Sequence, residues 1–306
     1  MHFEIIGFDE GERHLDWQDL CTAFETGFTR PKAEVADSFL YRGQDTLLNR
    51  AAWIDGMGLA VKSATVFPGN PGNNLPMING AVCVFSDAHG GLEAVIDFHL
   101  VTKWKTAGDS LFAATRLARP DSRNILIVGA GTVGRSLFEA YHSAFQDARF
   151  HVWSRTKANA EAMAEVCDGL RVATDLEDAV RSSDIITCAT MTSDPLIEGK
   201  WLQPGQHIDL IGAYRPDMRE ADDEALRRAR LFVDSRDTTI GHIGEIEIPL
   251  SRGIISESDI IADYYTLSDF RRRTDDEITL FKNGGGAHLD LMTSRYILTA
   301  WQTATS

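Results

Sequence analysis

No other stretch of the chain restricts its fold as strongly as Gly129-Ala130-Gly131-Thr132-Val133-Gly134. This G-x-G-x-x-G follows the apolar run Ile125–Val128 directly and opens a helical pattern directly. The first glycine permits a tight turn, the second lets a pyrophosphate approach the backbone, and the third allows helix and strand to pack closely. The phosphates then rest on the helix N-terminus. A glycine triplet alone is a weak signal, and a purely structural glycine turn is the bland alternative. The strand-turn-helix context, with a second strand following, predicts a dinucleotide site that includes Gly129, Ala130, Gly131, Thr132, Val133 and Gly134.

From Asn124 onward, short β-branched runs alternate with helical stretches. The strand candidates are 125–128, 150–153, 184–188, 207–211 and 231–233; the helix candidates are 132–145, 157–166, 175–182 and 217–229. This alternation predicts an α/β Rossmann domain with a doubly wound parallel sheet over residues 120–283. Residues 1–119 have another texture: a charged helical stretch at 16–28, then alternating segments such as Gly58–Lys62 and Ala81–Phe85, then a helix over 102–118. That pattern predicts a discontinuous α+β domain. Its final piece is taken from 284–306, in a last segment (275–301) read as a helix interrupted by Asn283-Gly284-Gly285-Gly286 and returning to pack on the first domain.

Charge and composition remove several function classes. Thirty Lys and Arg stand against 45 Asp and Glu, a net charge of −15, so no basic footprint exists for nucleic acid or an anionic bilayer. No apolar run approaches the ~20 residues of a membrane span, and the start has no leader-like pattern. Cys21, Cys83, Cys167 and Cys188 lack C-x-x-C spacing, so buried free thiols are expected, with no disulfide framework and no metal site. The expected setting is cytoplasmic.

The second strand of the nucleotide unit ends in Ser154-Arg155-Thr156 rather than the acidic residue of an NAD-selective site. Hydroxyls and a guanidinium suit a ribose 2′-phosphate, which favours NADP(H) over NAD(H). The alternatives for Arg155 are a solvated surface charge or stacking on adenine. Thr190, Ile211 and Asn283 complete the candidate cofactor-binding set.

The residues flanking these motifs resemble the ornithine cyclodeaminase/mu-crystallin family. Leu117-Ala118-Arg119-Pro120-Asp121-Ser122, Arg215-Pro216-Asp217-Met218-Arg219-Glu220, Phe232-Val233-Asp234-Ser235-Arg236 and Glu277-Ile278-Thr279-Leu280-Phe281-Lys282 carry the likeness. It extends from about Arg42 to about Leu291. The resemblance implies a homodimer, a substrate and dimerisation domain built from both chain ends, and a substrate carboxylate held by basic residues. Lys62 matches the family lysine, Arg42 is the arginine candidate with Arg50 competing, and Lys105 stands where the family usually has arginine. Lys62 lies in an apolar strand, where an unpaired ammonium would be costly. Arg42 and Lys105 could equally be solvated.

Tyr214 occupies the place of an aspartate that cyclodeaminases carry, and a phenol is a poor base near neutral pH. Ornithine cyclisation is therefore disfavoured. The expected activity is NAD(P)H-dependent reduction of a small 2-imino carboxylate, a ketimine or cyclic imino acid, to an amino acid, or the reverse. A lyase with tightly bound NAD and a non-catalytic NADPH-dependent binding protein are the rival readings. Asp290 aligns with a family aspartate that could orient a base or cap a helix, and His288 could be an acid, a base or a structural residue.

Overall fold

The computed structural model describes residues 3–306 and divides into two compact units. One comprises the chain through Lys105 and again Gly286–Ser306; the other is Thr106–Gly285. The first division thus falls inside the helix Phe98–Leu117 rather than at the expected 119/120. Hydrogen bonding accounts for the shift. Ser110 Oγ donates to Asp209 in the parallel sheet, and Asn283 Nδ2 donates to Thr106 O and Ser110 Oγ, tying the later turns of that helix to the nucleotide unit.

The first unit is a six-stranded sheet with strand order β1-β6-β5-β4-β3-β2. Its members are β1 (Glu4–Ile6), β2 (Glu34–Arg42), β3 (Asp45–Ile54), β4 (Gly58–Val66), β5 (Ile78–Phe85) and β6 (Leu92–Asp97). All neighbouring pairs are antiparallel except β1 with β6. The helix Ala287–Thr305 packs on β3, β4 and the helix Trp17–Gly27. Asp16 starts the latter helix by accepting from the amides of Gln18 and Asp19, the side-chain capping that satisfies orphan donors. β2 is the sheet edge, and all nine of its residues are exposed.

The second unit holds eight strands in the order β13-β12-β14-β11-β10-β7-β8-β9, with every neighbouring pair parallel. The strands are β7 (Asn124–Val128), β8 (Arg149–Trp153), β9 (Leu170–Val172), β10 (Ile185–Cys188), β11 (His207–Leu210), β12 (Arg230–Val233), β13 (Ile260–Ala262) and β14 (Thr279–Lys282). Ile125, Leu126, Ile127 and Val128 are fully buried, as expected for a parallel strand covered on both faces. The fold is the expected doubly wound α/β arrangement. The strand order reverses at β7, whose neighbours are β8 and β10, and ligands of such sheets bind beyond the strand C-termini at that point.

Three expectations change. Thr279–Lys282 is a central strand between β11 and β12, not part of an interrupted helix; only Ala287–Thr305 is helical there. The helix expected over 217–229 is confined to Asp223–Arg228. Of the four free cysteines, Cys21, Cys167 and Cys188 are buried, but Cys83 is only half-buried. Among the described residues no helix is long and apolar enough to cross a membrane.

Candidate active site

In the nucleotide unit, Gly129 has φ 117°, a conformation that suits glycine, and a Cβ there would lie 2.7 Å from Ala189 O. A Cβ on Gly134 would meet Gly129 O at 2.1 Å. Gly131 caps the helix Thr132–Ala144 without any side-chain hydrogen bond. The first-turn amides are therefore left for a ligand, and Gly131 and Thr132 are exposed, with Ala130 and Val133 half-buried beside them. A pocket of about 160 Å³ adjoins this turn, lined by Gly129, Trp153, Ser154, Arg155, Thr156 and Thr190, among others. The features fit a dinucleotide: a glycine turn with no room for side chains at Gly129 and Gly134 and open space beside Gly131, an uncapped helix start, and a flanking pocket carrying hydroxyls and one guanidinium. Arg155 is exposed, with no side-chain partner among the described residues.

Thr190 and Ile211 follow β10 and β11. Thr190 donates its amide and hydroxyl to Glu220 Oε1 (2.6 and 2.8 Å), while the Ile211 amide donates to Cys188 O. Asn283 is buried and bridges inward to Thr106 and Ser110, so its side chain acts as a brace within this unit. Glu220, Glu245 and Lys282 are fully buried nearby. Glu245 accepts the amides of Glu220 and Ala221, and Lys282 Nζ donates to Leu210 O. Burial, then the neighbouring Glu220 carboxylate, push the Glu245 carboxyl up to about 7. None of these three was singled out from the sequence, although Glu220 and Lys282 lie inside the motifs quoted for the resemblance.

The basic residues gather in the other unit. Lys62 Nζ lies 3.0 Å from Asp290 Oδ1 and sits over the Phe98 ring at 4.8 Å. Burial lowers the Lys62 pKa, with Lys105 and Arg50 adding to the effect and Asp290 opposing it. Burial would raise Asp290, but Lys62 and Lys105 outweigh it and hold the carboxyl below its ordinary range. Asp290 therefore serves neither as an N-cap nor as an isolated acid: it is the counter-ion of Lys62. Its Oδ2 is buried and has no hydrogen-bond partner among the described residues.

Arg42 is not brought to this cluster. It opposes Asp45 next to the hairpin turn, pairs with it at 2.8 Å, and leaves its side chain 81% exposed. The register instead places Arg50 directly opposite Lys62, on the same sheet face, where it pairs with Asp37 at 3.0 Å. Lys105 is buried and close enough to act electrostatically on both Lys62 and Asp290. Three cations thus face two carboxylates, leaving one positive charge over. His288 is buried, its ring edge-on to Phe28 at 5.9 Å. Tyr214 is exposed, with the Arg215 guanidinium 5.6 Å above its ring.

Residues 50–305 match the ornithine cyclodeaminase/mu-crystallin family. The chain belongs to that family. It is 46% identical to a Delta(1)-pyrroline-2-carboxylate reductase of Paracoccus denitrificans, over 96% of each chain. Among solved structures, it resembles Thermococcus litoralis Delta(1)-pyrroline-2-carboxylate reductase in complex with NADH and L-proline, with TM-score 0.90, 25% identity, and coverage of 99% of this chain and 98% of that one. It also resembles an archaeal alanine dehydrogenase dimer with bound NAD, with TM-score 0.90, 26% identity, and coverage of 100% and 98%.

Proposed function

We propose that the protein is an NAD(P)H-dependent reductase of a small cyclic 2-imino carboxylate, with Δ1-pyrroline-2-carboxylate as the first candidate and proline as the product. The observation that carries this reading is the cluster of buried Lys62 and Lys105 with half-buried Arg50, which faces only the carboxylates of Asp290 and Asp37 and so keeps one positive charge uncompensated. One substrate carboxylate neutralises it. The likeness to two pyrroline-2-carboxylate reductases supports the choice of substrate.

The cofactor would be held by the Gly129–Gly134 turn, Ser154–Thr156 and Thr190; when bound, the nicotinamide supplies the hydride. Lys62, Lys105 and Arg50 hold the carboxylate and so orient the imine carbon. The imine must also gain a proton at nitrogen. Lys62, its pKa lowered by burial toward the working range, is the group placed to hold that proton, and Asp290 keeps the ammonium charged until it is used. The carboxylate clamp and the proton source thus share one residue. Ser154-Arg155-Thr156 favours NADPH over NADH.

The same reading takes the protein as a homodimer. Val35, Phe39, Leu40 and Tyr41 expose apolar surface along the open edge strand β2, which suits pairing with a second copy, and a similar alanine dehydrogenase is a dimer. A reducing, cytoplasmic setting suits its four free cysteines.

Purified protein mixed with Δ1-pyrroline-2-carboxylate and NADPH should consume reduced cofactor and form proline in equal amounts. L-ornithine with catalytic NAD should release little ammonia. Rapid ammonia release without net cofactor turnover would establish the lyase instead, and cofactor binding without either reaction would establish a binding protein.

A further inference from the structure

We propose that Glu220 is the positioning residue of the cofactor pocket, a carboxylate clip that locks the turn after β10 to the turn after β11. The proposal rests on the dinucleotide reading of that pocket. Glu220 is fully buried, and both of its oxygens are used. Oε1 accepts from the Thr190 amide at 2.6 Å and the Thr190 hydroxyl at 2.8 Å; Oε2 accepts from the Gly212 amide at 2.6 Å. Thr190 lines the pocket, and Gly212 is pressed so closely against it that a Cβ would lie 1.8 Å from Thr190 O.

Three donors on two turns converge on one side chain, and only a carboxylate offers acceptor sites on both of its terminal atoms. A glutamine would turn an N–H toward an N–H. Holding an anion away from water is expensive, and the amides of Glu220 and Ala221 donate in turn to Glu245, so the clip is itself anchored by a second buried carboxylate. The arrangement also fixes the polarity of Thr190. With its hydroxyl proton committed to Glu220 and the Cys188 thiol 3.6 Å from the oxygen, Thr190 has a remaining lone pair to offer the pocket, which suits a donor on the ligand such as a ribose hydroxyl or the nicotinamide amide N–H.

The test is titration of NADH into the wild-type protein, Glu220→Gln and Thr190→Val, following quenching of tryptophan emission, since Trp153 lines the same pocket. Circular dichroism reports folding, and kcat is measured at saturating NADH with Δ1-pyrroline-2-carboxylate. Glu220→Gln should raise the Kd for NADH by about ten- to a hundredfold, with kcat within about threefold of wild type. Thr190→Val keeps the backbone link and loses only the hydroxyl, so its Kd should rise by about three- to tenfold. A folded Glu220→Gln protein with wild-type Kd, or with lowered kcat and unchanged Kd, overturns the proposal. If that variant does not fold, Thr190→Val decides, and wild-type affinity there overturns it. Where the wild-type protein binds only NADPH, the same titrations are read with NADPH; failure of the wild-type protein to bind either cofactor overturns the dinucleotide reading and the clip with it, an outcome distinct from the others.

Discussion

Lys62 on β4 and Asp290 in the last helix form an ion pair across 228 positions of sequence, at 3.0 Å, with both side chains nearly excluded from water. Such a pair is expensive to break on one side, because the survivor is left as an uncompensated buried charge. Lys62→Met should therefore abolish turnover and lower unfolding stability by about 3–5 kcal/mol. The double variant Lys62→Met/Asp290→Asn removes both charges and should recover most of that stability while staying inactive. Urea unfolding of the single and double variants, alongside activity, separates the roles. Full activity in Lys62→Met would remove this lysine from the chemistry.

Arg50, rather than Arg42, should carry the remaining contact to the substrate carboxylate, because the hairpin register sets it opposite Lys62. Loss of a charge-assisted contact of roughly 1.5–3 kcal/mol predicts a rise in KM for the imino acid of about ten- to a hundredfold in Arg50→Ala. Arg42→Ala removes an exposed pair at the hairpin tip and a guanidinium contact with the Phe67 ring, and should stay within about threefold of wild type. Steady-state kinetics on the two variants decide between them, and the reverse order would mean that the carboxylate is bound elsewhere.

What the sequence disclosed and what it concealed follow from the range of the interactions. The glycine turn, β7 and the start of the next helix are local, so their chemistry is written in consecutive residues. Thr279–Lys282 is a strand where a helix is expected, because a short apolar run has too few residues to distinguish a buried strand from a buried helix turn. The choice between Arg42 and Arg50 is hidden from the sequence because facing partners depend on where the hairpin turns, and a shift in register moves every partner along the strand. Nothing local decides between the two roles open to Asp290, because its partner lies on another element. Glu245 gives no local signal, and Glu220, although inside a motif of the resemblance, gives none of its role: both work mainly by receiving backbone amides, which nearly every residue type presents.

Stability should depend on pH through Glu245. Burial, followed by the Glu220 charge, raises its pKa from 4.5 to about 7. Between those values the folded protein keeps a proton that the unfolded chain has released, so the native state binds more protons and stability falls as pH rises through the window. The loss amounts to at most about 3 kcal/mol for a shift of this size. Asp209, raised to about 6, acts in the same direction and is common to wild type and variant. Urea midpoints measured from about pH 5 to about pH 8 should fall less steeply in Glu245→Gln than in wild type. Parallel slopes would show that Glu245 does not titrate there.

Cofactor preference rests on Arg155, which lines the pocket beside Ser154 and Thr156, is exposed, and has no competing side-chain partner among the described residues. A 2′-phosphate would take its guanidinium as a charge-assisted contact contributing roughly 1.5–3 kcal/mol, about ten- to a hundredfold in affinity. NADH cannot make that contact. Arg155→Ala should therefore weaken NADPH by that factor and leave NADH within about threefold, since the adenine stacking lost with the guanidinium contributes under about 1 kcal/mol at an exposed site. Dissociation constants of both cofactors for both proteins decide the matter. Equal losses would mean that Arg155 stacks on the adenine common to both, and the preference for NADPH would have to be abandoned.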